Sequence, residues 1–205
     1  RTIVLLPGGT GSFVSSTGLI ITNHHIAFAG LQTISSVQDD YLKNGYHAKT
    51  NGDELSLPTY TAEFVVDITN ITKDVLSVVA DSMSATARAD AIRKKSREIE
   101  KANKEKGGAD ADYKVNDAYN GVEYYLYHFT MLRDIRLVYA PPISIGNYGG
   151  EVDNWIWPRH TGDFAFLRAY VAPDGKHSAY AKENVPYHPN AFLPVSNKQR
   201  KEDSF

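Results

Sequence analysis

The stretch from Ser12 to His25 narrows the possible folds of this chain more than any other. Two short apolar runs, Ser12-Phe13-Val14-Ser15 and Leu19-Ile20-Ile21-Thr22, are joined by Ser16-Thr17-Gly18, where glycine permits the turn. That arrangement predicts a β-hairpin. Its second strand runs directly into Asn23-His24-His25, so two imidazoles are delivered at the end of a rigid support. In extended chain, adjacent side chains point to opposite sides, and at most one of the pair is expected to face a cleft.

Other segments repeat the strand pattern. Thr2-Ile3-Val4-Leu5-Leu6 reads as a strand already under way, and Ile26-Ala27-Phe28-Ala29 as a short helical turn. Further strands are predicted at Glu63–Ile68, at Ile135–Tyr139 before Pro141-Pro142, and at Phe164–Val171 before the Pro173-Asp174-Gly175 turn. From Thr72 the period changes. Val75, Leu76, Val79, Met83, Ala87 and Ile92 recur at helical spacing, with Thr72 as the N-cap and Gly107-Gly108 as the stop. Residues 88–106 hold eight basic and four acidic side chains and read as a solvated helix face. A second helix is predicted over Val115–Met131, where Tyr119, Tyr124, Tyr125, Tyr127 and Phe129 supply packing surface. The expectation is a mainly β fold, residues 1–71 and 132–205, interrupted by a helical insertion at 72–131.

Composition removes several function classes. A formal net charge of −2 argues against a nucleic-acid binder that neutralises phosphates. No apolar run approaches the roughly 18–20 residues that span a bilayer as a helix. There is no cysteine, which excludes disulfide scaffolds, cysteine zinc sites and a cysteine nucleophile together. The chain shows no signal-peptide pattern, opens on Arg1 inside an apparent strand, and closes on Asp203-Ser204-Phe205, which reads as the start of another strand; both ends look cut.

Three features carry chemistry. The hairpin ending in His24-His25 is how chymotrypsin-like proteases present a general base, which must reach a serine hydroxyl while a carboxylate holds its tautomer. Asp163, ahead of the alternating run Phe164-Ala165-Phe166-Leu167-Arg168, is placed as such an orienting carboxylate. The loop Gly146–Trp157 crowds glycines, carboxylates and two tryptophans just before it, a composition suited to a free α-ammonium. No Gly-x-Ser-x-Gly occurs, and Ser178, Ser196 and Ser204 lack glycine neighbours, so a nucleophile loop is missing. Adjacent histidines converge poorly on one ion and no His-Glu-x-x-His spacing exists, so neither a metal nor another cofactor is expected.

Thr10–Ser15 (TGSFVS), Gly18–His25 (GLIITNHH) and Trp157–Arg168 (WPRHTGDFAFLR) together resemble the bacterial dipeptidyl-peptidase 7 and dipeptidyl-peptidase 11 family of serine exopeptidases. The most specific stretch is DNWIWPRHTGDF, and the resemblance runs from about Gly9 through Phe205. It implies a chymotrypsin-like double β-barrel, of which this chain would hold most of the first barrel plus a helical insertion. By motif, His25 becomes the base, Asp163 its orienter, Asn154 and Trp155 the grip on the substrate's α-amino group, and His160 a structural residue. The implied substrates are peptides with a free N-terminus, the implied assembly is a homodimer of the full-length protein, and the implied location is the periplasm or cell surface of a Gram-negative bacterium. Two positions depart from the pattern. Ile26 replaces the cysteine usual after the base, and the serine, expected several hundred residues further on, lies outside this chain. A periplasmic trypsin-like endopeptidase and a non-catalytic peptide-binding module are the alternative readings.

Overall fold

Alternating burial along short strands sets the architecture. In the computed structural model the described residues are 2–150, 157 and 160–198. The elements in chain order are β1 (Ile3–Leu6), β2 (Gly9–Phe13), β3 (Leu19–Thr22), α1 (His24–Ile34), α2 (Tyr41–Asn44), β4 (Tyr46–His47), β5 (Leu55–Ser56), β6 (Ala62–Asn70), α3 (Thr72–Leu76), α4 (Ala85–Gly107), β7 (Ala111–Ala118), β8 (Glu123–Leu132), β9 (Asp134–Ala140), α5 (Ile143–Gly146), β10 (Ala165–Val171) and β11 (Val185–Pro186). Antiparallel strands with a few helices make up the fold. Among the described residues no helix is long and apolar enough to cross a membrane.

Two units form. The first comprises Thr2–Ala62 and the described residues from Arg133 onward. Its strands run in the order β4-β9-β10-β3-β2-β1, with β5 on β9 and β11 on β10. The predicted hairpin is β2–β3, paired Phe13 to Ile20 and Gly11 to Thr22. One face of this sheet carries Val4, Leu6, Phe13, Ile20, Ile135, Leu137 and Leu167, all buried, while Ile3 and Leu5 on the opposite face of β1 stay exposed. Burial of each such side chain contributes about 1.5–3 kcal/mol.

The far end of β9 and β10 is closed by a buried polar network. Arg136 donates to Asp134 at 3.0 and 2.7 Å, and Asn184 donates to the same carboxylate at 2.9 Å. Arg168 and Tyr170 donate to Glu54 at 2.9 and 2.8 Å. The Arg136 guanidinium lies 3.8 Å from the Tyr170 ring centroid. Each buried charge is thus paired, the condition under which burying it is tolerable.

The second unit is Glu63–Leu132. It differs from the sequence expectation in its latter half. Residues 115–131 are not a helix but lie in the hairpin β7–β8, in register from Ala111 opposite Thr130 to Ala118 opposite Glu123. Tyr119, Asn120 and Gly121 turn the chain with φ of 52°, 58° and 81°. The physical reason is that aromatic and β-branched side chains fit a pleated surface, and Asn-Gly supplies the left-handed turn. The first half also changes: α3 and α4 are separate helices. Thr72 is not a cap, since its hydroxyl accepts from the Tyr124 amide at 2.9 Å; Ser84 caps α4 by accepting from the Ala87 amide at 3.2 Å. No α4 residue is buried, and Ile92 and Ile99 rest on the cluster Ile71, Val75, Tyr124 and Leu126.

The two faces of the first unit's sheet make a direct stability contrast. Ile20→Ala, in the core, is expected to cost about 2–5 kcal/mol. Ile3→Ala, on the exposed face, should stay within about 0.5 kcal/mol of the parent. Urea unfolding of both variants measures the difference.

Candidate active site

Strands β3 and β10 are antiparallel neighbours with Thr22 opposite Ala165. Just past this pair the two segments meet, Asn23 and His25 on one side and Asp163 on the other. A sequence separation of 138 residues closes here. Thr22 anchors the end of β3 through its hydroxyl, which donates to the Thr10 carbonyl at 2.9 Å.

Helix α1 starts at once. Asn23 occupies its N-cap in extended conformation, yet its side chain makes no capping bond. The Asp163 carboxylate takes that place, accepting from the His25 backbone N–H at 3.0 Å through Oδ1. Oδ2 lies 2.7 Å from His25 Nδ1 and accepts from the Asn23 amide at 3.1 Å. The same amide lies 3.2 Å from the Asp163 carbonyl. A carboxylate accepts, so the ring contact assigns a hydrogen to Nδ1, and the neutral form of that ring carries its lone pair on Nε2. The Asp163 side chain is 15% exposed and that of His25 56% exposed, so the carboxylate is shielded while the imidazole stays accessible.

His24 does the opposite. It is 1% exposed, and its ring is pressed so closely on Gly146 that a Cβ there would stand 2.4 Å from Cγ. The two histidines are the first residues of α1 rather than of an extended segment, which corrects the expected geometry; successive helical residues diverge by about 100°, enough to bury one and present the other. Burial pushes the His24 proton affinity below its ordinary 6.5, outweighing the nearby Asp163 charge and a hydrogen bond to the Pro141 backbone.

Helix α5 ties the Asp163 segment down. Thr161 Oγ1 lies 3.1 and 3.0 Å from the carbonyls of Ile145 and Gly146, and the Gly162 amide donates to the Ile145 carbonyl at 2.9 Å. From below, the Tyr60 hydroxyl donates to the Ile26 carbonyl, and a Cβ on Gly30 would meet the Tyr60 ring at 2.8 Å. Ile26 is buried and sits over Gly9, where a Cβ would approach its Cδ1 to 2.3 Å. His24, His25, Phe28, Asn147, Thr161 and Asp163 line an open cleft of about 240 Å³.

The structure therefore brings His25 and Asp163 together. Asn154 and Trp155 lie outside the described residues, as does the strand expected to start at Asp203; His160 is exposed. The sequence alone assigns no role to Asn23, Thr161 or Tyr60, and Gly146 only a place at the head of the glycine-rich loop. Asn23, at the hairpin's end beside the two histidines, was the one with a visible signal, since asparagine there announces a helix cap.

The peptidase S46 family pattern matches residues 1–205. The chain belongs to the peptidase S46 family. It is 39% identical over 204 residues to dipeptidyl-peptidase 7 of Capnocytophaga gingivalis, covering 99% of this chain and 28% of that protein. It is 43% identical over 193 residues to the Asp/Glu-specific dipeptidyl-peptidase of Shewanella putrefaciens, covering 91% of this chain and 25% of that one. The crystal structure of Porphyromonas endodontalis DPP11 in complex with dipeptide Arg-Glu superposes with a TM-score of 0.81 at 36% identity, over 98% of this chain and 30% of that chain. The chain thus spans less than a third of the length of these S46 relatives.

Because the folded state disfavours protonated His24, the unfolded chain binds that proton first as pH falls. Stability is unaffected by this site above about 6.5 and is lost as pH drops below that value toward the lowered folded one. Unfolding free energy measured between pH 7.5 and 5 should fall less steeply in His24→Gln than in the parent; an identical slope contradicts the assignment.

Proposed function

We propose that this chain is the N-terminal part of a serine dipeptidyl peptidase, supplying the base and its orienting carboxylate from the first barrel of a chymotrypsin-like double barrel. The observation that carries this reading is the 2.7 Å contact between His25 Nδ1 and Asp163 Oδ2 in a chain of the S46 family. His25 Nε2 takes the proton from a serine hydroxyl as its oxygen attacks the scissile carbonyl, then passes that proton to the leaving amine; water repeats the cycle on the acyl-enzyme. Asp163 holds the tautomer and stabilises the imidazolium without taking the proton itself. The serine belongs to residues outside this chain. Asn154 and Trp155 grip the substrate's α-ammonium, which makes the reaction an exopeptidase one, on peptides with a free N-terminus. The full-length enzyme acts as a homodimer in the periplasm or at the cell surface of a Gram-negative bacterium, with no cofactor. The names of the relatives, all dipeptidyl peptidases, support the same reaction.

Dipeptidyl chromogenic substrates test the reading. The full-length enzyme should cleave the free-amine substrate and leave its N-acetylated form intact, and equal cleavage of both would favour an endopeptidase. His25→Ala should lower turnover by about four to six orders of magnitude with unchanged melting temperature. The chain of 205 residues by itself should give no turnover.

A further inference from the structure

The N-cap of α1 has exchanged roles with its partner. An asparagine at an N-cap ordinarily turns its side-chain oxygen to the amide of the second or third helical residue. Here Asn23 makes no such bond, and the amide of the second helical residue, His25, is taken by Asp163 Oδ1 at 3.0 Å. Asn23 instead directs its amide nitrogen at two acceptors of one residue, Asp163 Oδ2 at 3.1 Å and the Asp163 carbonyl at 3.2 Å. Both neighbours are acceptors, so the side-chain orientation follows from chemistry: only the NH₂ end can face them.

The consequence is geometric. The oxygen that receives the Asn23 amide is the same Oδ2 that meets the His25 ring at 2.7 Å. With Oδ1 held by a helix amide, Oδ2 held by Asn23, and the carbonyl held by Asn23 as well, the carboxylate plane has little freedom to turn. Rotation of that plane would carry Oδ2 away from Nδ1 and release the imidazole from its tautomer. A carboxylate at this position has no hydrogen to give Asp163, and a serine hydroxyl, one bond shorter than the amide nitrogen, falls short of the two acceptors that Asn23 reaches at 3.1 and 3.2 Å.

We propose that Asn23 is a positioning residue for the reaction, acting on Asp163 and through it on His25; the proposal rests on reading His25 as the general base. In the full-length enzyme, Asn23→Ala should lower kcat about tenfold, the effect of one hydrogen bond to a charged acceptor, with KM for a dipeptidyl substrate changed less than about twofold. The downfield proton resonance of the Nδ1–H between His25 and Asp163 should broaden or shift. Asn23→Ser provides the decisive contrast, because its hydroxyl can cap α1 without reaching Asp163: its melting temperature should stay at or above that of Asn23→Ala while kcat stays low. Asn23→Gln, which keeps the amide, should recover part of kcat. Parental kcat in Asn23→Ala, or recovery of kcat in Asn23→Ser, would overturn the proposal. Turnover surviving in His25→Ala would instead overturn the base assignment on which it rests, so the two failures are distinguishable.

Discussion

The Asp163 carboxylate is the point on which the rest of the site depends. Three N–H groups converge on its two oxygens: the backbone amide and ring of His25, and the side chain of Asn23. Two of the three come from the start of helix α1, whose dipole also places its positive end there. The carboxylate thereby does two jobs with one set of bonds. It caps the helix that carries the histidine, and it fixes the orientation of that histidine's ring. A site built this way needs no flexible reach from either side chain, because each is held where its own secondary structure puts it.

That economy transfers the burden to the scaffold. The pairing of Thr22 with Ala165 decides which residues meet beyond the strand ends, and a slip of one residue would send Asp163 to the wrong face. The buried faces of β1, β2, β3, β9 and β10 hold that register, since slipping would exchange Ile20 and Leu167 for solvent-facing neighbours. On the other side of the cleft, Thr161 and Gly162 pin the loop to α5, and the absence of a side chain at Gly146 lets α5 approach the His24 ring. His24 is therefore part of the packing that brings two elements together, and burial lowers the proton affinity of its imidazole.

Much of this was legible in the sequence, and the parts that were not have identifiable causes. The hairpin and the strand after Asp163 were readable because alternation and glycine leave strong local marks, whereas the choice of His25 over His24 came only from the family resemblance, since adjacent histidines look alike in sequence. Residues 115–131 read as a helix in sequence, yet form the β7–β8 hairpin, because apolar residues spaced three and four apart in an aromatic-rich segment satisfy a helical template as well. Asn120-Gly121 was the discriminating signal. Asn23 carries only the conventional mark of a helix cap, which is correct for its position and wrong for its side chain. The packing of Tyr60 on Gly30 and of Gly146 on His24 leaves no mark in one sequence, since each contact joins residues tens to more than a hundred positions apart.

The central claim is that His25 and Asp163 form the base half of a serine nucleophile site completed outside this chain. The most direct measurement is the reaction of the full-length enzyme with an active-site-directed phosphonate, followed by mass mapping of the adduct. A single adduct is expected on a serine beyond the 205 residues of this chain, formed about 10,000-fold more slowly in Asp163→Asn. An adduct on a serine within these residues, or one formed at the parental rate in Asp163→Asn, would contradict it.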